Sequence, residues 1–399
     1  MRFDPPLRLA YLVSHPIQYQ APLLRRIAQE PDIDLTALFC SDVSVRPFHN
    51  EGFGRVLQWD VPLLEGYRYQ FLPVWGRRDQ VSGWRPLTHG LGRILREGRF
   101  EALWVHSYAR LTNLAAMLVA RRRGIAVLLR EEMSGISAER SAARRGAKRM
   151  AMAGLDRLVA AYLAIGSANA DYYRAHGIAA ARIFPMPYAV DNARFRHAAA
   201  EARPRRATLL ADLGIPADRP VAVTAARLVE HKAQGDLIEA WRLWTRRIDP
   251  ERCPFLVVVG DGPLRAQLER AAAGLDTVRF AGFRNQTELP GFYAAAELFV
   301  LPSRREPWGL VVNEAMNAGC AILASDRVGA APDLVRDGVN GLVYPAGSVH
   351  ALAEALERLF ADPQRLAEMG RESLSLIEGW SFEEDVSGLR AALAATVRR

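Results

Sequence analysis

Short apolar runs alternate with longer helix-like segments along this chain, and the series runs through twice. In the first half the composition predicts extended runs at 7–14, 34–40, 67–74, 101–106, 125–130, 163–166 and 181–187. Helices are expected between them at 17–30, 87–97, 111–123, 138–160 and 168–176, with Pro22 tolerated only in an early turn or at a kink. Segment 191–204 breaks the rhythm: it is polar, rich in Ala and Arg, and reads as an inter-domain connection. The series then restarts, with strands at 220–226, 254–259, 276–281, 298–301, 320–324 and 341–344. Helices fall between and after these, ending in one at 381–397 whose start suits a capping box at Ser381 and Glu384. Strands alternating with helices imply parallel sheets covered on both faces. The expectation is therefore an α/β protein with two Rossmann-like, doubly wound domains, 1–190 and 191–380. Such domains place a ligand at the carboxyl ends of the strands, in the cleft between them.

Bulk properties narrow the function. The 399 residues are 50% hydrophobic and 24% charged, as in a globular protein with full cores. No apolar run is long enough to span a bilayer, and the N-terminus shows no signal-peptide architecture. Cys40, Cys253 and Cys320 are few, scattered and odd in number, which fits a reducing cytoplasm and argues against a disulfide framework or structural zinc. The net charge of +8 suits an anionic partner. Nearly all the cations are arginine; Lys148 and Lys232 are the two lysines, which makes their positions informative. No Walker loop, nucleophile elbow, zinc pattern or G-x-G-x-x-G occurs, and the tryptophans are too dispersed for an RNA-binding sheet, so nucleic acid is not expected as a partner.

Several stretches carry candidate chemistry. Ser303 to Met316 reads as strand end, Pro/Gly turn and helix start, a junction whose free N–H groups and dipole suit a phosphate. Glu306 and Glu314 flank it, and carboxylates accept hydrogen bonds from sugar hydroxyls. The plainer alternative is an ordinary turn with two solvated glutamates. Arg227 and Lys232 bracket the loop after the second half's first strand, where two cations can converge on a diphosphate and neutralise a leaving group; in isolation they would read as a solvated pair. Gly260 and Gly262 follow another strand and allow close backbone approach to a ligand, although most such turns are only turns. His106 ends a first-half strand and could orient a sugar or exchange a proton, or serve merely as a surface histidine. His15 and Gln18, after the first strand, form a similar acceptor-side candidate. Segment 139–157 is basic and amphipathic, which suits an anionic membrane surface but equally a solvated covering helix.

Together these residues resemble the retaining GT-B glycosyltransferases of family 4. The resemblance rests on five ordered features: Ala226-Arg227-Leu228-Val229 to Lys232; Val259-Gly260-Asp261-Gly262-Pro263-Leu264; Phe280-Ala281-Gly282; Phe292 to Ser303; and the pair Glu306 to Glu314. It covers roughly 226–345, and more loosely the strand before the connection, where Tyr188 stands in place of the usual asparagine. The resemblance implies the GT-B fold, with two Rossmann-like domains facing a central cleft and the helix at 381–399 packing back on the first. It implies that Arg227 and Lys232 hold the donor diphosphate and that backbone amides around Trp308, Gly309, Leu310 and Val311 cap it. Glu314 would hold ribose hydroxyls, Glu306 the transferred sugar, and His106 would sit at the reaction centre. No metal or other cofactor is implied, only a nucleotide-diphosphate sugar as donor. The family retains anomeric configuration, and a front-face substitution, in which the leaving phosphate helps deprotonate the acceptor, fits cations without an evident nucleophile. The departures are Ala226 for glycine, Lys232-Ala233 for Lys-Gly, Trp308 for Phe, and the absence of a Gly-Gly pair in the first-domain loop. The leading expectation is a hexosyltransferase acting on a glycan or lipid-linked acceptor of cell-surface polysaccharide, peripheral at the inner membrane face. Transfer to a soluble small molecule and non-catalytic donor binding are the alternatives.

Overall fold

Uninterrupted apolar runs need cover on both faces, and the chain buries them in two parallel sheets. The structure is a computed structural model and describes residues 2–50, 52–79, 81–133 and 142–397. It divides into two compact units: Met1–Phe48, Val61–Tyr188 and Phe382–Arg399 form one, and His49–Asp60 with Ala189–Ser381 form the other. The strands of the first half are β1 (Leu7–Val13), β2 (Ile33–Phe39), β3 (Phe48–Asn50), β4 (Arg55–Leu57), β5 (Arg68–Phe71), β6 (Val74–Trp75), β7 (Leu87–Thr88), β8 (Ala102–His106), β9 (Ala126–Arg130), β10 (Ala161–Ala164) and β11 (Ile183–Pro185). Those of the second half are β12 (Val221–Ala225), β13 (Phe255–Val259), β14 (Val278–Gly282), β15 (Leu298–Leu301), β16 (Ala321–Ser325) and β17 (Gly341–Tyr344).

The first unit's sheet runs β11-β10-β9-β8-β1-β2-β5, and every pairing in it is parallel. Its central strands are buried on both faces: Leu103 and Val105 of β8 join one apolar cluster, while Trp104 packs on Tyr11 with ring centroids 4.3 Å apart. The second unit's sheet runs β14-β13-β12-β15-β16-β17, again all parallel. In both sheets the strand order reverses once, between β1 and β8 and between β12 and β15. Doubly wound sheets bind ligands outside the carboxyl ends of the strands at that reversal.

The C-terminal helix Phe382–Thr396 belongs to the first unit. A buried arginine anchors it. Nη2 of Arg130, at the end of β9, donates to the carbonyls of Met186 (2.9 Å) and Pro187 (2.8 Å) and to Asp385 Oδ1 (2.8 Å). Both side chains are fully buried, and burial pushes the Asp385 carboxyl up to about 7 against the opposing pull of Arg130. Arg26 with Glu383, and Arg390 with Glu30 and Asp32, fasten the same helix at its surface.

The structure departs from the sequence expectations in four places. The units divide between Tyr188 and Ala189, beside the connection expected at 191–204, but that segment is not irregular: it carries the helix Asn192–Ala202. Asp191 caps that helix by accepting from the Arg194 N–H, Phe195 and Ala199 are buried one turn apart, and Arg196 and Arg203 donate to the carbonyls of Leu374 and Ala318. Those arginines made the segment look solvated. The expected strand 67–74 stops at Phe71, and the expected helix 87–97 begins at Leu91 after the left-handed Gly90; the residues left over form the antiparallel pair β6–β7. Of the basic helix expected at 138–160, the structure describes Ala142–Asp156; residues 138–141 lie outside the described residues. Finally, the hairpin β3–β4 was not anticipated, and residues 49–60 sit in the second unit.

Asp385→Ala leaves a buried guanidinium without its carboxylate. It should destabilise the first unit by about 3–5 kcal/mol, read as a lower urea midpoint. A midpoint equal to wild type would mean that Arg130 does not depend on this partner.

Candidate functional site

In the second unit the chemistry gathers on the loops that follow β12 and β15, the two strands at the reversal of order. Arg227 leaves β12 and is exposed, and Lys232 closes the turn Glu230–Lys232. The next residue, Ala233, takes the left-handed conformation (φ 55°) that the family's glycine would adopt at no steric cost, so the departure from Lys-Gly is accommodated with some strain. The loop after β15 is tied to this turn by the Arg304 N–H, which donates to the His231 carbonyl (2.9 Å), and by a two-pronged Arg304–Asp236 bridge. Between the loops, the Lys232 ammonium pairs with the Glu306 carboxylate; both side chains are about nine-tenths buried. Ser303 Oγ adds a hydrogen bond to the same Glu306 oxygen (3.3 Å). A pair this dry is held because neither charge is tolerated alone.

The chain then turns at Gly309 (φ 100°) into the helix Leu310–Asn317. Gly309 offers no capping side chain, and the N–H groups of Leu310 and Val311 have no backbone acceptor among the described residues. They and the positive helix end are available to an anion. The indole of Trp308 is buried, bonds Asn313 Oδ1 (3.0 Å) and stacks on Trp380, so this residue can meet a ligand only through its backbone. Glu314 is buried in the same helix and accepts from the Tyr293 hydroxyl at 2.8 Å. Burial pushes its carboxyl up to about 7, with Tyr293 and Arg194 pulling the other way.

Gly260 and Gly262 have a second use that the sequence did not disclose. A Cβ on Gly260 would lie 1.9 Å from the Ala226 carbonyl oxygen, and one on Gly262 would lie 2.6 Å from that of Leu228. The Leu228 N–H donates to the Asp261 carbonyl (2.9 Å) and the Leu264 N–H to the Leu228 carbonyl (3.1 Å). The close approach these glycines allow is to the Arg227 loop, which they thereby hold in place.

His106, His15 and Gln18 belong to the first unit. His15 and His106 follow and end β1 and β8, the adjacent strands at that sheet's reversal; Gln18 is half-buried nearby in sequence. His15 Nδ1 meets Ser14 Oγ at 2.9 Å. Burial holds its imidazole down to about 4, with Arg110 adding to the effect. Burial likewise brings His106 down to about 3, helped by Arg130 and His15. Both imidazoles are therefore neutral near pH 7, and His106 is suited to hydrogen bonding rather than to carrying a proton. Its Nε2 lies 3.4 Å from the Tyr188 hydroxyl.

Sequence reasoning missed the carboxylate at the centre of this group. Glu132 Oε1 accepts from Tyr188 (2.5 Å) and Tyr19 (3.2 Å) and lies 3.9 Å from His106 Nε2. The one available signal was a Glu-Glu pair directly after the β9 run. On the basic helix, Lys148 sits over the Tyr108 ring (4.7 Å) while Met150 is exposed; among the described residues no helix is long and apolar enough to cross a membrane.

Known proteins match both halves. Residues 206–374 match the family described as Glycosyl transferases group 1, and 39–189 match the Glycosyl transferase 4-like domain. An alpha-D-kanosaminyltransferase of Streptomyces kanamyceticus is 36% identical over 200 residues, 49% of this chain and 50% of that protein. The lipopolysaccharide core biosynthesis glycosyltransferase LpsE of Rhizobium meliloti is 37% identical over 173 residues, 41% of this chain and 47% of that protein. The chain thus spans about half the length of the curated relatives it matches. The structure of Anabaena HepE in complex with UDP and glucose shares the fold with a TM-score of 0.71 at 17% identity, covering 98% of this chain and 100% of that one.

A carboxyl held up near 7 retains a proton that the unfolded chain releases above about 4.5. Folding stability contributed by Glu314 should therefore be greatest below pH 4.5 and be lost as pH rises to about 7. Urea unfolding of wild type and Glu314→Gln from pH 5 to 8 should show wild type losing about 2–3 kcal/mol relative to the variant. A pH-independent difference would mean that Glu314 is ionised in the folded protein.

Proposed function

We propose a sugar-transfer function for this chain, which belongs to the family 4 glycosyltransferases of the GT-B fold. In this reading it moves a hexose-type sugar from a nucleotide-diphosphate donor, with retention of configuration, to a glycan or lipid-linked acceptor in cell-surface polysaccharide synthesis. The observation that carries the reading is the joining of Lys232 and Glu306 across the reversal of strand order, beside Arg227 and an uncapped helix start. An ammonium has three donors, and Glu306 occupies one. The other two remain for diphosphate oxygens.

The chemistry follows from those parts. Arg227 and Lys232 neutralise charge that grows on the leaving diphosphate as the anomeric bond breaks, and the Leu310 and Val311 N–H groups add to it. Glu306 accepts hydroxyls of the transferred sugar and keeps the anomeric carbon in register with the phosphate. Glu314, with Tyr293, serves the ribose hydroxyls. The acceptor's proton passes to a leaving phosphate oxygen on the same face, which gives retention without a protein nucleophile. The cations do the work a metal would otherwise do, so the reaction should proceed in EDTA. Within the first unit, His106 and Glu132 offer an acceptor hydrogen-bonding partners at the strand ends.

The alpha-D-kanosaminyltransferase and the lipopolysaccharide core biosynthesis glycosyltransferase among the relatives support glycosyl transfer, and fold relatives solved with UDP and glucose or with UDP-glucose support a nucleotide-sugar donor. The basic helix motivates an acceptor at an anionic membrane surface on the cytoplasmic side. Flotation with anionic vesicles is the check on that element, and failure to float at low salt would remove it.

Lys232→Ala and Glu306→Gln should each lower transfer at least 100-fold, about 2.7 kcal/mol of barrier, in protein that is less stable than wild type but still folded under assay conditions, as circular dichroism checks. The assay uses the donor selected from UDP-, GDP- and ADP-sugars, with NMR of the product reporting its anomeric configuration. Near-wild-type rates in either variant would overturn the site, and an inverted product would overturn the retaining mechanism.

A further inference from the structure

The hairpin β3–β4 arises in the first half of the chain yet lies along the carboxyl ends of three consecutive strands of the second unit. Its tip is a tight turn, in which Asn50 Oδ1 accepts from the Gly52 and Phe53 N–H groups at 3.0 and 3.3 Å. Beyond β12, Gly52 packs against Arg227: a Cβ at this glycine would lie 2.5 Å from Arg227 Nη1 and 2.8 Å from its Cδ. Beyond β13, Arg55 Nη1 lies 3.7 Å from Asp261 Oδ2, on the loop that Gly260 and Gly262 hold. Beyond β14, Phe53 meets Phe283 edge to face (centroids 5.1 Å apart) and the Arg55 guanidinium sits 5.3 Å above the same ring. The segment then ends in a firm anchor. Asp60 accepts from the N–H groups of Gln286 and Thr287 (3.1 Å each) and from the Thr287 hydroxyl, while Asn285 Nδ2 donates to the Gln58 carbonyl (2.7 Å).

Long polar side chains on exposed loops normally sample several rotamers, and binding must then order them. Arg227 is exposed, but one side of its guanidinium and stem is closed off by the Gly52 backbone. We propose that residues 49–60 form a strap whose tip, at Gly52, positions the Arg227 guanidinium for the donor diphosphate. The inference rests on the donor-site reading above and adds to it a positioning residue 175 positions away in sequence from Arg227. Gly52 acts through its lack of a side chain rather than through backbone conformation, since its φ is not in the left-handed region. Any Cβ there must push Arg227 aside. The displaced atoms are the end of a flexible side chain, so the fold yields at little cost and the guanidinium moves.

Gly52→Ala tests this, with UDP, GDP and ADP as probes in calorimetric titrations of the full chain. The nucleotide that wild type binds should bind the variant about tenfold more weakly, with little change in melting temperature. In an Arg227→Ala background the same substitution should have no further effect, a coupling that general loosening of the hairpin would not produce. Asp60→Ala releases the far anchor without touching Arg227; it should also weaken binding, again only while Arg227 is present. Unchanged affinity in both Gly52→Ala and Asp60→Ala, or an equal loss with and without Arg227, overturns the strap's role. Should wild type bind none of the three nucleotides, the donor-site reading itself falls and takes the strap with it.

Discussion

The second unit's site depends on one largely buried ion pair, Lys232 with Glu306. It joins the loop after β12 to the loop after β15 at the point where strand order reverses. Desolvation makes each charge costly alone, so the loops are held together by mutual need. Around that pair the rest is arranged in layers. Ser303, Arg304 and Asp236 fix the β15 loop, and the two glycines after β13 press their loop against the backbone on either side of Arg227. The strap of residues 49–60 closes the other side of the Arg227 side chain. Cations, a hydroxyl acceptor and free helix N–H groups are thus preorganised before any ligand arrives, the condition under which electrostatic stabilisation of a leaving group is most effective.

The first unit shows the same economy with different chemistry. Arg130 is buried under the C-terminal helix and ties the β10–β11 region to Asp385; its guanidinium also lies 4.6 Å above the Tyr188 ring. That stack sets the Tyr188 hydroxyl toward Glu132 and His106. The tyrosine that stands where asparagine is usual is therefore part of a polar cluster, and burial, helped by the cluster's cation, lowers the basicity of His106. Stability of the helix and polarity of the loops after β1, β8 and β9 share one arginine.

Much of this was legible in the sequence, for identifiable reasons. Parallel strands covered on both faces leave unbroken apolar runs, so β1, β8, β12, β13 and β15 could be read almost to the residue. The donor-side candidates were legible because they follow those runs directly, and Lys232 stood out among so many arginines. The helix Asn192–Ala202 was missed because its arginines, which bond distant carbonyls, resemble those of a solvated linker. The strap was missed because it has neither a run nor a period, and because its anchors lie more than 200 residues away, as between Asp60 and Gln286. Glu132 was missed because its meaning comes from Tyr19 and Tyr188, which only the fold brings beside it. Placements that depend on local order were visible, and placements that depend on distant partners were not.

The central claim is that a nucleotide-sugar diphosphate settles on the loops after β12 and β15. Hydrogen–deuterium exchange of the full chain, with and without saturating nucleotide sugar, addresses it directly. The account predicts slower exchange at 226–236 and at 303–314, centred on the Leu310 and Val311 amides, with smaller protection over 49–60. Protection confined to the first unit, or absent from 303–314 at saturation, would contradict it.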